Sequence, residues 1–288
     1  MERERGLQLY ELILRLGKAF QSGWKYPATT IVAVYFWGAL NERHTTWACD
    51  PKNWDPRLPQ LHLPSQDRMS KRLRSQVVRG LLAAVEGALK TTEPDPVKAV
   101  DSKPLTVSVV SKDAEATWGR TIGKRWLRGY KLHAVWGRGP LPIAWRVTGL
   151  NAQDGKAAAP LLERLTGRGY VLGDAQYDQN DRYDEAAAHG HQLLALSRCA
   201  HAGRGHRRQS PHRLRGLKIA ARRRSWVRRQ RTRIERSFGG LTCSAGGLAA
   251  ALPAWIRGHH RVTLWVQAKL IINALRILHK KRPTLAMA

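Results

Sequence analysis

Cysteines and long apolar runs are scarce in this chain of 288 residues. Its three cysteines, at positions 49, 199 and 243, form no CxxC pair and no zinc-ligand spacing, so neither a disulfide framework nor a zinc site is indicated. The longest apolar run, residues 31–40, is far shorter than the roughly 20 residues that a membrane helix needs. The first residues carry two acids and two arginines without a signal-peptide layout. We therefore expect a protein of the reducing cytoplasm with no membrane partner.

Acidic residues are also few in comparison with basic residues. The chain has 50 Lys and Arg against 21 Asp and Glu, a formal charge of +29, and residues 199–288 hold 21 of the basic residues with one acidic residue. A polyanion is the expected partner, because basic side chains that contact phosphates release counterions. We predict a basic loop over residues 199–222, with a disordered basic tail as the alternative for residues 200–218.

The one acid of this basic third is Glu235, which stands among five arginines. An ion pair with Arg231 four residues earlier on a helix is one interpretation, and such a pair contributes only about 0.3–0.5 kcal/mol on a surface. The other is that a metal ion needs a hard oxygen ligand inside a phosphate-binding surface.

Residues 1–95 read as a mostly helical N-terminal domain. One helix is predicted to start at Ser65 as N-cap and to continue to about residue 89. The basic residues of its first turns fit a helix-turn-helix that binds DNA, and they fit an ordinary solvated face equally well. A linker over residues 91–96 (TTEPDP) precedes a second domain, residues 96–288.

The second domain alternates short apolar runs with helix patterns. Five strands are predicted, at residues 97–101, 130–136, 143–148, 170–174 and 191–196. Three strands followed by helix, strand, helix and strand predict an α/β fold, a mixed five-stranded sheet flanked by helices in the order 3-2-1-4-5. A C-terminal helix over residues 262–278 is expected to pack on this core.

Two aspartates end predicted strands of that sheet. Asp101 is the last residue of the first predicted strand and Asp174 of the fourth, and these strands are neighbours if the sheet order is 3-2-1-4-5, which would bring the two carboxylates close together. Turn chemistry alone also explains each aspartate. Together with Glu235 and the basic charge, the pair points to phosphodiester hydrolysis or transfer assisted by two Mg²⁺ ions.

Five segments carry a resemblance to a known family. They are VDSKPLTVSVVSKDAEATWG, RGYKLHAVW, PIAWRVTGLNAQD, GYVLGDAQYD and RTRIERSFGGL, in that order over residues 97–241. The chain resembles bacterial insertion-sequence transposases of the DDE, RNase H-like superfamily. Related elements show a tyrosine, arginine, glutamate and lysine signature around the third acid. Arg231 fits its arginine, whereas Arg228 stands in the tyrosine place and Thr242 in the lysine place.

The resemblance implies a function. Asp101, Asp174 and Glu235 would be the catalytic, metal-binding triad of an RNase H-like domain that uses Mg²⁺, with Mn²⁺ as a substitute. The enzyme would cut double-stranded DNA at the element ends and join the freed 3′ hydroxyls to target DNA, as a homodimer or higher oligomer. The residues expected to bind DNA are Arg228, Arg231, Arg236 and Lys131.

Other interpretations stay open at this point. Strand alternation explains Lys131 without DNA, and Trp226 fits the core of a helix better than a base-stacking role. The basic third alone would also suit a non-catalytic nucleic-acid-binding protein, a decayed transposase included. An RNase H-like nuclease that cuts without joining would need the same acids.

Overall fold

The computed structural model describes residues 2–20, 23–58, 62–91, 94–120, 126–197, 208–242 and 247–281. The chain divides into two compact units, a helical unit of Met1–Lys90 with Leu264–Ala288 and a sheet unit of Thr91–Thr263. Among these described residues, no helix is both long and apolar enough to cross a membrane.

The helical unit is built around one apolar helix. Its helices are α1 (Glu2–Gly17), α2 (Ala28–Leu40), α3 (Thr45–Ala48), α4 (Gln66–Arg72) and α5 (Gln76–Ala88). Every residue of α2 from Thr30 to Ala39 is buried, as its uniformly apolar sequence requires. This helix contacts α1 and α5, so it forms the centre of the unit.

The single helix predicted from Ser65 to residue 89 is wrong. Ser65 does cap a helix by accepting a hydrogen bond from the Arg68 N–H, but α4 ends at Arg72 and α5 begins at Gln76. The hydroxyl of Ser75 donates to the Arg72 carbonyl at 2.7 Å and satisfies a carbonyl at the end of α4. A serine that competes with the backbone for hydrogen bonds therefore breaks the helix.

The placement of the C-terminal helix in the second domain also needs correction. Helix α10 (His259–Lys281) begins in the sheet unit, but from Leu264 onward it belongs to the helical unit. The ammonium group of Lys269, only 2% exposed, donates to the Ala39 carbonyl at 2.8 Å and to Glu42 Oε1 at 3.1 Å. These buried bonds fasten the end of the chain to its first helices.

The described residues of the sheet unit form six strands, one more than predicted. They are β1 (Val97–Thr106), β2 (Thr117–Arg120), β3 (Trp126–Trp136), β4 (Ala144–Gly149), β5 (Gly169–Gly173) and β6 (His191–Ala195). The order is β2-β3-β1-β5-β6, and β4 pairs with β3 beside β2. For the five predicted strands the expected order is confirmed, and the mixed character follows from antiparallel β1–β3 and parallel β1–β5 pairing.

Helices cover both faces of this sheet. On one face, Val100, Val171 and Leu193 pack into a buried core with α6 (Asp154–Leu162) and α7 (Asn180–Ala188). On the other face, Trp136 of β3 meets Phe238 of α9 (Arg224–Thr242) with ring centroids 5.3 Å apart. We call this second side the α9 face. Because strand side chains alternate, it is also the side of Asp101, whose neighbour across β3 is Ala134.

The predicted basic loop over residues 199–222 is wrong in its second half. Residues Pro211–Arg222 form α8, whose N-cap Ser210 accepts hydrogen bonds from the N–H groups of His212 and Arg213. Serine at the cap and proline at the first helical position are standard helix-start signals that outweigh the basic composition. The first part of the predicted loop, residues 199–207, lies outside the described residues.

Candidate active site

Asp101 lies within β1 and not at its end. The strand continues to Thr106 because the long antiparallel neighbour β3 pairs with it throughout, from Ala99 to Thr106. The parallel pairing with β5 is shorter and stops at Ala99 opposite Leu172. Asp101 therefore stands just past the edge of the parallel pairing, where the sheet opens, and its Oδ1 accepts the Ser102 N–H at 2.8 Å.

Asp174 was predicted as the last residue of its strand, but β5 ends one residue earlier at Gly173, and Asp174 begins a short 3-10 turn. Its Oδ1 accepts the Gln176 N–H at 2.8 Å, which fixes the side chain at the strand end. Extending the β1–β5 register by two residues brings Asp174 opposite Asp101. Both aspartates then lie on the α9 face, since paired residues of neighbouring strands point to the same side.

The two aspartates share one electrostatic environment. Burial raises the pKa of Asp101 to about 6, and the charges of Asp174 and Glu235 act in the same direction. The pKa of Asp174 is also raised, first by burial and then by the negative charges of Asp154 and Glu235. Arg231 opposes both shifts. The site therefore brings several acidic side chains together. Among the causes of these two pKa shifts, Arg231 is the one positive charge.

Glu235 reaches this environment from α9. The helix packs on β1 and β5 through Trp226, whose ring meets Tyr170 at 5.7 Å, and through buried Val227 and Phe238. These contacts favour the core interpretation of Trp226. Glu235 itself is 45% exposed and lies on the part of α9 that carries the arginines.

Arg231 pairs with Glu235 in the way the helical spacing predicts. Its Nη2 donates to Glu235 Oε1 at 2.8 Å, and its side chain is only 18% exposed. Arg228 and Arg236 on the same helix are exposed. The helix thus presents one sheltered arginine that faces the acids and two that are open to a ligand.

Lys131 does not lie with the other predicted DNA-binding residues. Its ammonium group, on a side chain 13% exposed, donates to Asp154 Oδ1 and to the Ala152 carbonyl, each at 3.0 Å. Asp154 is the first residue of α6 and takes part in this ion pair. Side chains of β3 alternate between the two faces of the sheet, and Ala134 lies on the α9 face. Lys131, three residues before Ala134, therefore points to the opposite face.

Sequence reasoning did not single out Tyr177, which packs in the core on the α6–α7 side of the sheet. Its side chain is buried, and its hydroxyl has no hydrogen-bond partner among the described residues. Burial raises the pKa of Tyr177 well above its usual value, and the charges of Asp154, Asp101 and Asp174 add to the effect. The sequence feature that could have indicated Tyr177 is its position three residues after Asp174, across a turn.

The two aspartates suit a hard divalent cation. Each gives one carboxylate oxygen to a backbone N–H, and the other oxygen has no hydrogen-bond partner within the described ranges. A cation there would offset the burial and the repulsion between acids that together raise both pKa values. Glu235 is paired with Arg231 instead, and no three Asp, Glu, His or Cys side chains in the described part of the chain are grouped to hold a metal. The donor chemistry fits Mg²⁺ at the aspartates, without a ready-made three-residue cluster.

The site thus combines a mixed sheet, two aspartates at the edge of its parallel pairing and an arginine-rich helix packed on the same strands. The family model described as "Transposase DDE domain" matches residues 92–250, more than half of the chain. The chain belongs to this family of DDE transposase domains.

A solved structure supports the fold. The chain is similar to the piggyBac transposase seen by cryo-electron microscopy in a synaptic complex with hairpin DNA. The TM-score is 0.50 at 10% sequence identity, and the match covers 95% of this chain and 75% of that one. No curated protein sequence matches the chain.

Proposed function

We propose that the protein is an insertion-sequence transposase that cuts DNA at the element ends and joins the freed 3′ hydroxyls to target DNA. One observation supports this proposal: Asp101 lies on the side of the sheet that α9 covers, and the charges of Asp174 and Glu235 both act to raise its pKa. Membership of the DDE transposase family supports the same reaction class. The sheet order and the covering helices suit an RNase H-like domain, which we propose for the sheet unit.

DDE transposases generally use divalent metal ions. Asp101 and Asp174 would hold one Mg²⁺ between them, and Glu235 would hold a second after leaving Arg231, with Mn²⁺ as a substitute. When bound, the ions would supply Lewis-acid chemistry to the attacking and leaving oxygens of phosphodiester transfer. The protein's own part is to keep both aspartates ionised and oriented, which the Ser102 and Gln176 N–H groups do by bonding the charged carboxylates.

The arginines of α9 would bind the DNA backbone. Arg228 and Arg236 are exposed, and guanidinium groups form paired hydrogen bonds with phosphate oxygens. Arg231, which is sheltered beside the acids, would exchange Glu235 for a phosphate and offset charge that develops during transfer. DNA as the partner agrees with the structure of the similar piggyBac transposase, which was determined with hairpin DNA.

Joining two element ends needs two sets of catalytic residues close together, so we propose a homodimer or a higher oligomer on DNA. The N-terminal helical unit would add contacts to DNA. A helix-turn-helix formed by α4 and α5 stays a prediction, supported by the basic side chains Arg68, Lys71, Arg72 and Arg74 along them.

A strand-transfer assay tests this proposal against a nuclease that only cuts. The purified protein is mixed with Mg²⁺, a labelled duplex that ends in the DNA flanking the gene, and a supercoiled target plasmid. A transposase produces labelled plasmid, and a terminal 3′ dideoxynucleotide on the duplex abolishes the product because no hydroxyl is left to attack. Cleavage without any joined product would reject transposition in favour of a nuclease.

A further inference from the structure

Two tryptophans of the sheet unit stand unusually exposed on one two-stranded ribbon. Trp118 of β2 is 53% exposed and Trp126 of β3 is 62% exposed. Burial of a large indole ring normally stabilises a protein, and a ring that faces solvent does not contribute this stabilisation. Neither residue takes part in the site at Asp101 and Asp174, so their exposure needs another explanation.

The pairing register places these rings on one side of the ribbon. Trp118 lies opposite Arg128, and Arg120 lies opposite Trp126. Cross-strand partners share a side, and so do residues two apart on a strand. All four side chains therefore point the same way, and tryptophans and arginines alternate over this ribbon face.

The ribbon is held rigidly from both sides. Arg128 donates to the carbonyls of Ala116 at 3.1 Å, of Ser111 at 3.0 Å and of Asp113, which fastens the preceding loop to the strand. On the reverse side, a Cβ on Gly119 would come within 2.7 Å of the Leu150 carbonyl group, so only glycine fits there. The tryptophans consequently project from a fixed support.

The charge around the ribbon face favours a polyanion over a protein partner. The guanidinium of Arg120 lies 5.9 Å from the centre of the Trp126 ring and makes no ion pair with a carboxylate in the described ranges. The ribbon face itself carries two arginines, Arg120 and Arg128, and no acidic residue. A second copy of the same face would meet like charge. Aromatic rings interleaved with arginine suit stacking on nucleic-acid bases.

The location of the ribbon face relates it to the acids. Along β3 the even-numbered side chains from Trp126 to Ala134 share one side, which is the side of Asp101. Eight residues of extended strand span roughly 27 Å, about the length of eight nucleotides of B-form DNA. The side chains in between, Tyr130, Leu132 and Ala134, are buried, so a DNA strand bound at the acids would pass over the segments that cover them and would need at least about eight nucleotides to span the distance.

We propose that the ribbon face of Trp118, Arg120 and Trp126 is a stacking platform for unpaired bases of DNA that is bound at the acids. This inference rests on the proposed function for the identity of the ligand as DNA. Exposed rings require bases that are out of the duplex stack, so the platform would prefer a strand that is melted or single-stranded over intact duplex.

The test compares binding of two probes to the full chain by fluorescence anisotropy, without metal so that no cleavage occurs. One probe is a 40-base-pair duplex and the other is the same duplex with an unpaired arm. Trp118→Leu and Trp126→Leu keep apolar bulk and remove the indole ring, and each should weaken binding of the forked probe about tenfold. Trp118→Phe and Trp126→Phe should keep most of the affinity, and Val110→Ala, which shortens an exposed apolar side chain of the same unit, should change nothing.

The outcomes separate this inference from the proposed function. If the wild-type chain binds the forked probe and both leucine variants bind it equally well, the platform is rejected while the transposase proposal stands. If the leucine variants instead lower self-association in sedimentation and leave DNA binding intact, the ribbon face contacts protein and the platform is likewise rejected. Failure of the wild-type chain to bind either probe would overturn both proposals.

Discussion

Arg231 and Glu235 form an ion pair one helical turn apart on α9, with 2.8 Å between Nη2 and Oε1. The same guanidinium lowers the pKa of Asp101 and of Asp174, so one positive charge acts on all three acids. While the pair is intact, one oxygen of Glu235 is occupied. A ligand that draws Arg231 away, such as a phosphate of DNA, would at the same time free the carboxylate.

Arg231→Gln should change the pH dependence of cleavage as well as its rate. Without the cation the pKa of Asp101, about 6 in the wild-type protein, rises further, and the acidic limb of the rate profile moves to higher pH. The loss of rate should therefore be larger at pH 6 than at pH 8.5. The matched control is Arg229→Gln, an exposed neighbour, which should leave the shape of the profile unchanged. A uniform loss at all pH values would contradict this role of Arg231.

Asp101→Asn, Asp174→Asn and Glu235→Gln should each reduce metal-dependent cleavage by on the order of a thousandfold, since residues that act as a unit fail together. DNA binding should stay within a few-fold, because the arginines remain. Gel-based cleavage and anisotropy measure the two effects separately. Asp181→Asn, an exposed aspartate in the first turn of α7, serves as the control. Near-wild-type cleavage by any one of the three variants would remove that residue from the site.

The buried charge of Asp101 should make stability depend on pH in a defined direction. Its pKa is about 6 in the folded protein and about 3.9 in an unfolded chain, so the ionised form costs stability. The cost, at most about 3 kcal/mol, is fully present above pH 6, shrinks as the pH falls through 6, and is gone below about 4. Asp101→Asn should thus raise the melting temperature at pH 7.5 and not at pH 4. An equal effect at both values would show that Asp101 ionises freely.

Mg²⁺ should stabilise the protein without any DNA present. A cation between Asp101 and Asp174 binds the folded chain alone, and 100-fold saturation adds about 2.7 kcal/mol. Differential scanning fluorimetry at pH 7.5 should show a melting temperature that rises with Mg²⁺ or Mn²⁺. In Asp101→Asn and Asp174→Asn the rise should be lost, whereas Asp181→Asn should keep it. A wild-type protein insensitive to both ions would exclude metal binding at this pair before DNA is bound.

DNA affinity should fall steeply with salt, and the slope should identify the residues that touch phosphates. Each phosphate contact contributes about −0.9 to the slope of log affinity against log salt. Arg228→Gln and Arg236→Gln should each make the slope shallower by about that amount. Lys131→Gln should leave the slope unchanged and lower stability instead, because Lys131 is bound to Asp154 inside the protein. A shallower slope for Lys131→Gln would restore it as a DNA-binding residue.

The sheet was largely predictable because its signals are local and repeated. Apolar runs such as YVLGD and HQLLAL mark strands by themselves, and the alternation with helices fixes the order of the five predicted strands. Strand β2 was missed because TWGR is short and has no apolar period. Its position is decided by pairing with the extended end of β3, which a single sequence does not reveal.

The candidate site was predictable in part for a similar reason. Asp174 directly follows a strand, and the rule that sites form at strand ends finds it. Asp101 does not end its strand, and its position depends on where the β5 pairing stops. The contact of Lys131 with Asp154 was not predictable, because the two residues are 23 positions apart along the chain. A local sequence pattern does not reveal a contact between residues so far apart along the chain.

Lys269 has a consequence for the order in which the protein can be made. The first 90 residues leave the ribosome long before residue 269, yet the buried ammonium group of that lysine is what ties α10 to Ala39 and Glu42. The helical unit must therefore wait, incompletely packed, until the whole sheet unit has been synthesised. A fragment that stops at residue 263 would lack the final helix of this unit, so loss of the last 25 residues should damage the beginning of the chain first.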